Sequence, residues 1–489
     1  MMSFLDGLVK DRPGRLRFGG MRSIGLLFTL VAGLHSLSAA PATKPNILVI
    51  LADDLGWGEL GCQGFTKQIS TPQIDSIAKN GVRFTQGYVS GPYCSPTRAG
   101  FMTGRYQTRF GHEVNPGPAE HAVPNFGLPL EEKTIGNRLK DAGYATGWIG
   151  KSHLGYKPEF HPLKRGFDEF FGFLGGAHSY FDPKADAANP ILRGTEVVDK
   201  LDYTTDAFGR EAVDFIERHH AAPWFCYLSF NAVHSPMEAT KKYEDRFPDV
   251  QDPKRKAFCG MLSAMDDAVG QVLAKLHEHN LEDDTLIFFF SDNGGPTPST
   301  TSGNGPLRGF KSSTWEGGVR VPFLMQWKGT LPAARVDDRP VIQLDILPTA
   351  LAAAGVEAQP DWKLDGVNLL PFLGKDDKIS LPHETLFWRF ARQMALRKGD
   401  WKIVKAQGMP VVDNVSQQAK TTTEGVELYN LAKDIGETKN LAVSEPEKVK
   451  ELCAAWDAMN AGMVDAKWQS MRMKALRAAG KGKKKKAEE

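Results

Sequence analysis

Acidic and amide side chains follow two strongly apolar segments of the chain. Asp53 and Asp54 come just after NILVIL, and Asp292 and Asn293 come just after TLIFFF. Adjacent carboxylates repel each other and lose hydration on burial, unless a cation holds them together. Their oxygens suit a hard divalent ion such as calcium or magnesium. Either pair alone also fits an ordinary turn, so the metal-site prediction depends on both pairs ending apolar segments.

A cysteine stands at the start of a predicted helix, in the segment PYCSPTRAG. Ser95 is a suitable N-cap and Pro96 fits the first helical position, which places Cys94 just before the helix. The free N–H groups at a helix start favour an anion. Arg98 lies close enough to direct its guanidinium fork onto a tetrahedral oxyanion. For a lone cysteine, a buried structural role is the alternative.

Four apolar segments have the pattern of strands buried on both faces. These predicted strands are residues 46–51, 145–149, 223–230 and 285–290. Helical patterns separate them, at residues 74–79, 135–142, 205–219 and 257–277. This alternation predicts an α/β fold with a mixed, mainly parallel sheet and helices on both faces. Because sites in such sheets lie at the carboxyl ends of strands, the polar residues there should converge. They are Asp53, Asp54, Lys151, His153, His234, Asp292 and Asn293.

The pattern changes after about residue 372. Short antiparallel strands within 385–405 and 426–431, followed by a helix over 445–463, predict a small C-terminal α+β subdomain. The predicted organisation is a main domain at 41–375, this antiparallel-sheet subdomain at 376–470 and a basic disordered tail at 471–489.

The composition is that of a globular protein. The 489 residues are 41% hydrophobic and 24% charged, which excludes disordered, collagenous and disulfide-scaffold proteins. The net charge is +2, but residues 471–489 carry +6 and residues 1–22 carry +3, leaving about −7 for the rest. A global basic surface is therefore absent, and we expect no nucleic-acid partner.

The amino-terminal region has the layout of a secretory signal peptide. Arg22 precedes an apolar stretch at 24–34 that is short for a bilayer span, and small residues follow at 38–40. We predict a signal peptide over residues 1–40, with Met21 as an alternative start and an uncleaved anchor as the alternative reading. The mature protein should be exported, periplasmic or secreted, without stable membrane insertion. Its five cysteines leave at least one thiol unpaired, whether or not Cys226 pairs with Cys259.

The cysteine segment resembles the signature of the type I sulfatases, the formylglycine-dependent sulfatases of the alkaline phosphatase superfamily. The pattern Cys94-x-Pro96-x-Arg98 carries this likeness. Further family motifs follow in the family's order: NILVILADDLGWG, GKSHLG, HSP, SDNG, GFK with TWEGG, and LYNL with ETKNL. The likeness covers roughly residues 45–445. Ser152 departs from it, because the family commonly has tryptophan there.

The resemblance implies an exported sulfuric ester hydrolase with an alkaline-phosphatase-like fold. A transiently bound maturase would oxidise Cys94 to formylglycine. Calcium, rather than magnesium, would be bound by Asp53, Asp54, the modified residue 94, Asp292 and Asn293. The implied catalytic residues are Cys94, Arg98, Lys151, His153, His234 and Lys311.

The resemblance also assigns roles to the basic residues. Arg98 and Lys151 would stabilise the hydrated aldehyde. His234 and Lys311 would contact the sulfate and the leaving oxygen, and His153 would take a proton from the remaining hydroxyl.

The expected substrate is a small-molecule or oligosaccharide sulfate ester, on a sulfated carbohydrate. The histidines outside these motifs are expected to be structural, and His178 is the best candidate among them to line a substrate pocket. One alternative is a phosphonate or phosphodiester hydrolase of the same superfamily. Another is a non-catalytic sulfated-glycan-binding protein in which Cys94 is not matured. A thiolate phosphatase is disfavoured, because the loop between its Cys and Arg is longer than the three residues here.

Overall fold

The computed structural model describes residues 44–117, 125–374, 381–406 and 421–468. The predicted signal peptide and basic tail lie outside the described residues, as does the predicted domain boundary at 375–376. In the described part of the chain, no helix is both long enough and apolar enough to cross a bilayer.

A mixed sheet of ten strands, counted over the described residues, forms the centre of the main domain. In spatial order the strands are β11 (Arg335–Asp337), β2 (Val82–Phe84), β10 (Phe323–Gln326), β9 (Thr285–Ser291), β1 (Asn46–Ala52), β8 (Trp224–Ser229), β4 (Ala145–Lys151), β5 (Glu169–Phe173), β6 (Leu192–Arg193) and β7 (Glu196–Val197). Strands β9, β1, β8, β4 and β5 are parallel, with Val49 of β1 in register with Tyr227 and Phe288. The four predicted strands and the mainly parallel sheet are therefore confirmed.

Helices cover both faces of this sheet. The α-helices are α1 (Pro72–Lys79), α2 (Cys94–Thr103), α3 (Ile135–Asp141), α4 (Thr204–His219), α5 (Lys241–Glu244), α6 (Pro253–Glu278), α7 (Thr297–Thr300), α8 (Glu316–Val319), α9 (Ile346–Ala353) and α10 (Pro446–Asn460). Short 3-10 turns occupy Gly61–Gln63, Gln107–Phe110, Pro158–Phe160, Pro162–Lys164, Gln343–Asp345, Pro360–Trp362 and Leu370–Leu373. The predicted helices are confirmed, and α6 extends beyond its predicted bounds at both ends.

The continuous apolar strands follow from burial on both faces. Leu48 and Ile50 of β1 belong to a core with α1, α4 and α6. Ile47 and Val49 belong to a second core with α2, α3 and α9. Because successive strand residues point to opposite faces, both sets must be apolar.

The C-terminal subdomain is a four-stranded antiparallel sheet with α10. Its strands are β13 (Thr385–Phe390), β14 (Gln393–Lys398), β15 (Trp401–Lys405) and β16 (Glu427–Asn430). They share a third core with the main domain, including Tyr88 of β3 (Gly87–Tyr88) and Ile342 of β12 (Val341–Ile342). The predicted α+β subdomain is therefore confirmed.

A buried ionic cluster joins the two parts. The Nζ of Lys402 on β15 lies 2.8 Å from Glu316 Oε1 on α8 and 2.9 Å from Glu437 Oε1. All three side chains are inaccessible to solvent. Burial and the neighbouring Glu316 raise the pKa of Glu437 to about 7, although Lys402 opposes the shift. The C-terminal sheet is thus anchored on α8, directly after the loop that carries Lys311.

Candidate active site

The parallel strands bring the predicted polar residues together at one edge of the sheet. Asp53 and Asp54 follow β1, Asp292 and Asn293 follow β9, and Lys151 ends β4. All five are buried. The backbone N–H of Asp54 donates to Asp292 Oδ1 at 3.2 Å, and Asn293 Nδ2 donates to Asp54 Oδ1 at 2.7 Å. The predicted convergence of these strand ends is therefore observed.

The cysteine helix begins two residues earlier than predicted. Cys94 is its first residue and Tyr93 its N-cap, so the prediction of Ser95 as N-cap is wrong. The Ser95 hydroxyl instead donates to the His153 carbonyl at 2.6 Å and contacts His112 Nε2 at 2.6 Å. These contacts compete with helix capping, because a buried serine hydroxyl can form its hydrogen bonds with distant residues as well as with the helix start.

Arg98 lies one turn along α2, with its guanidinium fully buried. Its Nε and Nη2 donate to Asp292 Oδ2 at 3.0 and 2.9 Å, and Nη1 donates to Ser229 Oγ at 2.6 Å. Burial opposes its charge, but Asp292 and Asp53 raise the pKa of Arg98 above its usual value. The fork predicted to meet an oxyanion is therefore directed onto Asp292 in this structure.

Lys311 connects the cysteine to the carboxylates. Its Nζ lies 2.6 Å from Asp54 Oδ1 and 3.1 Å from Cys94 Sγ. Burial opposes the charge of Lys311, yet Asp54 and Cys94 raise its pKa well above the usual value. Burial raises the pKa of the Cys94 thiol to about 12, although Lys151 and Lys311 oppose the shift. Cys94 is therefore a protonated thiol near neutral pH, unlike the thiolate of a cysteine phosphatase.

Each of the three carboxylates meets a basic side chain. The pairs are Asp53 with Lys151, Asp54 with Lys311, and Asp292 with Arg98. Despite its burial, which favours the neutral acid, Asp54 has a lowered pKa because Lys311 and His234 stabilise its charge. The charges of these six side chains therefore balance.

Two histidines complete the cluster. His153 has φ of 59° and is 4% exposed, and its ring packs against Gly176, where a Cβ would lie 2.5 Å from Cε1. Burial, reinforced by Lys151, lowers the pKa of His153 well below its usual value, so its neutral imidazole can accept a proton. His234 Nε2 lies 3.6 Å from Asp54 Oδ2. Burial lowers the pKa of His234, against the opposing influence of the Asp53 and Asp54 charges.

Several of these groups fit a metal ion. Ligand atoms of Asp53, Asp54, Cys94 and His234 all lie within 4.8 Å of one another. In addition, Asn293 Oδ1 is buried without a hydrogen-bond partner. Carboxylate and amide oxygens are the donors that calcium and magnesium prefer. His234 joins this group, although the resemblance placed it at the sulfate and the leaving oxygen and not among the metal ligands. Its position after β8 in the sequence does not reveal which neighbour the ring faces.

A second group of possible metal ligands lies at the ends of α4 and α6. It consists of Glu217, His220 and His279. Lys275 Nζ already contacts the Glu217 carboxylate at 3.0 Å, and the two imidazoles stack with centroids 4.2 Å apart. These residues lie where the chain leads into β8 and β9, and not at the carboxyl ends of those strands, where the site lies. Their ligand positions are also partly occupied.

His178 lies just after β5, and its ring packs against Phe173 with centroids 5.1 Å apart. It is 4% exposed, its Nδ1 lies 2.8 Å from Ser179 O, and its Nε2 is buried without a hydrogen-bond partner. A role for it in lining a substrate pocket stays a prediction.

Sequence reasoning missed two residues that support the site. Ser229 accepts a hydrogen bond from Arg98, and Gly176 leaves room for the His153 ring. Both contacts join segments distant in sequence, and no local pattern signals them.

Comparisons with known proteins agree with this geometry. The Sulfatase family model matches residues 45–356, more than half of the chain. N-acetylgalactosamine-6-sulfatase of Sus scrofa is 34% identical over 398 residues, covering 77% of this chain and 74% of that protein. Steryl-sulfatase of Homo sapiens is 31% identical over 454 residues, covering 75% and 76% respectively.

A solved structure extends the likeness. The crystal structure of Ps i-CgsB in complex with k-i-k-neocarrahexaose superposes with a TM-score of 0.80 at 33% identity. It covers 89% of this chain and 96% of that chain. The expected alkaline-phosphatase-like fold is therefore confirmed, and the chain belongs to the sulfatase family of sulfuric ester hydrolases.

Proposed function

We propose that this protein hydrolyses sulfate esters of a carbohydrate, using formylglycine made from Cys94 and a bound calcium ion. One observation carries the proposal: the buried Cys94 Sγ lies within 4.8 Å of carboxylate oxygens of Asp53 and Asp54 and 3.1 Å from Lys311 Nζ. The name of one relative specifies N-acetylgalactosamine, and one structural neighbour is in complex with a neocarrahexaose. These two comparisons favour a sugar, and not a sterol, as the part of the substrate that bears the sulfate.

The residues that would hold calcium are Asp53, Asp54, Asp292 and Asn293, with residue 94. The unpartnered Asn293 Oδ1 supports this assignment, since a buried amide oxygen needs a donor or a cation. Formylglycine hydrate would supply the attacking hydroxyl, and calcium would neutralise charge on it and on the sulfate.

The basic side chains of the chain would bind the developing negative charge. Lys311, with its Nζ between Asp54 and Cys94, lies where a sulfate oxygen would approach residue 94. Lys151, paired with Asp53, contributes a second fixed cation from β4. Preorganised cations in a site that excludes water are effective because they need no reorganisation during the reaction.

The histidines would move protons. His153 is neutral and buried next to Lys151, which suits it to accept a proton from a hydroxyl on residue 94. His234 is more exposed, with 17% of its side chain accessible, and so can reach the leaving oxygen of a substrate entering from solvent. Either His234 or Lys311 would protonate that oxygen.

We also propose that the protein is exported and that a formylglycine maturase modifies it before use. Trypsin cleavage after Arg83 and Arg98 isolates residues 84–98, which contain Cys94. Peptide mass spectrometry on protein made together with a maturase should show loss of sulfur and gain of an aldehyde oxygen. A peptide that stays fully thiol, while a control sulfatase is converted in the same cells, would contradict the proposal.

Substrate assays separate the remaining alternatives. We expect sulfate release from 6-sulfated N-acetylgalactosamine or from carrageenan oligosaccharides, and little turnover of steryl sulfate or of an aryl phosphodiester. Efficient phosphodiester hydrolysis with negligible sulfate release would favour the phosphonate or phosphodiester alternative. Retention on a sulfated glycan column without sulfate release would favour a binding protein.

A further inference from the structure

The loop of residues 308–315 places Lys311 in the site, and its backbone has an unfavourable conformation next to this lysine. Ser312, directly after Lys311, has φ of 72°, in the left-handed region that favours glycine. Its N–H donates to the Pro92 carbonyl at 2.8 Å. A lysine stem is flexible, so the position of its Nζ depends on how firmly this backbone is held.

A side chain of the C-terminal sheet supplies that support. Gln393, the first residue of β14, is 3% exposed. Its Nε2 donates to the Ser312 carbonyl at 2.8 Å, and its Oε1 accepts from the Thr314 N–H at 3.2 Å. One amide therefore binds the loop on both sides of residue 313.

Gln393 is itself well fixed relative to the cysteine. It pairs with Phe390 across the β13–β14 hairpin, and the Phe390 ring packs against Tyr93 with centroids 5.5 Å apart. Tyr93 is the N-cap of the helix that begins at Cys94. The hairpin thus contacts both the Lys311 loop and the start of the cysteine helix.

We propose that Gln393 is a positioning residue that holds Lys311 Nζ between Asp54 and residue 94, so that the C-terminal subdomain sets the geometry of catalysis. The inference rests on the proposed function of Lys311. Gln393 acts through the Ser312 and Thr314 backbone and makes no contact with the reacting atoms. Because misplacement of a catalytic group by about 1 Å can lower a rate about 100-fold, the effect of losing Gln393 should be measurable.

Two variants separate hydrogen bonding from packing. Gln393→Ala removes both hydrogen bonds. Gln393→Glu nearly keeps the shape of the side chain but loses the N–H that donates to the Ser312 carbonyl. We expect both variants to lower kcat/KM for a sulfate ester by about 10- to 100-fold, mainly through kcat. Wild-type kinetics in Gln393→Glu would overturn the proposal.

Asn440 offers a matched control in the same subdomain. Its Oδ1 accepts from the N–H groups of Leu428 and Ala442 at 3.1 and 2.9 Å. Like Gln393 it uses a side-chain amide to hold a loop, but it is exposed and contacts no described residue of the site. Asn440→Ala should stay within about threefold of wild-type kcat/KM, and a loss as large as that of Gln393→Ala would overturn the proposal.

A double-mutant cycle tests whether Gln393 acts through Lys311. If it does, Gln393→Ala should cause no further loss in a Lys311→Met background, measured in single turnovers with an aryl sulfate. A full additional loss would overturn the proposal.

A crystal structure of Gln393→Ala gives a readout independent of activity. We expect the 2.6 Å contact between Lys311 Nζ and Asp54 Oδ1 to be lost, and its retention would overturn the proposal. A matured wild-type enzyme without sulfatase activity would instead refute the proposed function. The crystal structure would still decide the role of Gln393.

Discussion

Replacing Lys311 by Met tests the cationic part of the site most directly. Met nearly preserves the length of the stem but removes the charge that lies 2.6 Å from Asp54 Oδ1 and 3.1 Å from Cys94 Sγ. Loss of one preorganised donor from a buried site typically lowers kcat by about 100- to 1000-fold, or about 3 to 4 kcal/mol. We expect a fall of that size in kcat/KM for an aryl sulfate.

The same variant should bind calcium more tightly. Lys311 is a positive charge in contact with a proposed calcium ligand, so its removal leaves Asp54 more attractive to a divalent ion. Without calcium, however, Asp54 would be a buried and less compensated charge. We therefore expect the variant to unfold at a lower temperature than wild type in a chelator, with most of the difference recovered when calcium is added.

The control is Lys328→Met, which removes a lysine paired with Glu282 at the surface. It should leave both kcat/KM and the calcium response close to wild type. If Lys311→Met keeps kcat/KM within about threefold of wild type, Lys311 does not stabilise the transition state and the assigned role is wrong.

Three further predictions follow from the same geometry. Cys94→Ala should abolish sulfate release while changing the melting temperature little, and full activity in it would refute the formylglycine mechanism. Chelation with EGTA should lower both activity and melting temperature, and calcium should restore them; an enzyme indifferent to EGTA has no such metal. Glu437 has a pKa near 7 in the fold, above its usual 4.5, so its protonation stabilises the fold at low pH. This contribution, about 3 kcal/mol at most, is lost as pH rises from about 4.5 through 7. Melting curves of Glu437→Gln should lack that decline, and a pH dependence identical to wild type would exclude Glu437 as its source.

The strand ends were predictable because their signal is local. An apolar segment followed by Asp53 or Asp292 indicates both a buried strand and the polar edge beyond it, and parallel pairing then brings the two edges together. The start of α2 was predicted two residues late, because the Ser95 hydroxyl has buried tertiary partners that no local pattern reveals. The Gln393 contact joins a loop to a hairpin about 80 residues away, and its amide carries no sequence signature for such docking.

The balance of charge in the site explains why binding of an anionic substrate should depend on a bound divalent ion. Three buried carboxylates are matched by three basic side chains, so the cluster alone gives an incoming sulfate ester little net attraction. A calcium ion held by the same carboxylates would add two positive charges while the three basic groups remain. The site would then attract a sulfate monoanion and stabilise further negative charge as the ester bond breaks. Binding of inorganic sulfate should therefore depend on calcium, and calorimetric titration showing equal sulfate affinity with calcium and with EGTA would contradict this account of the site.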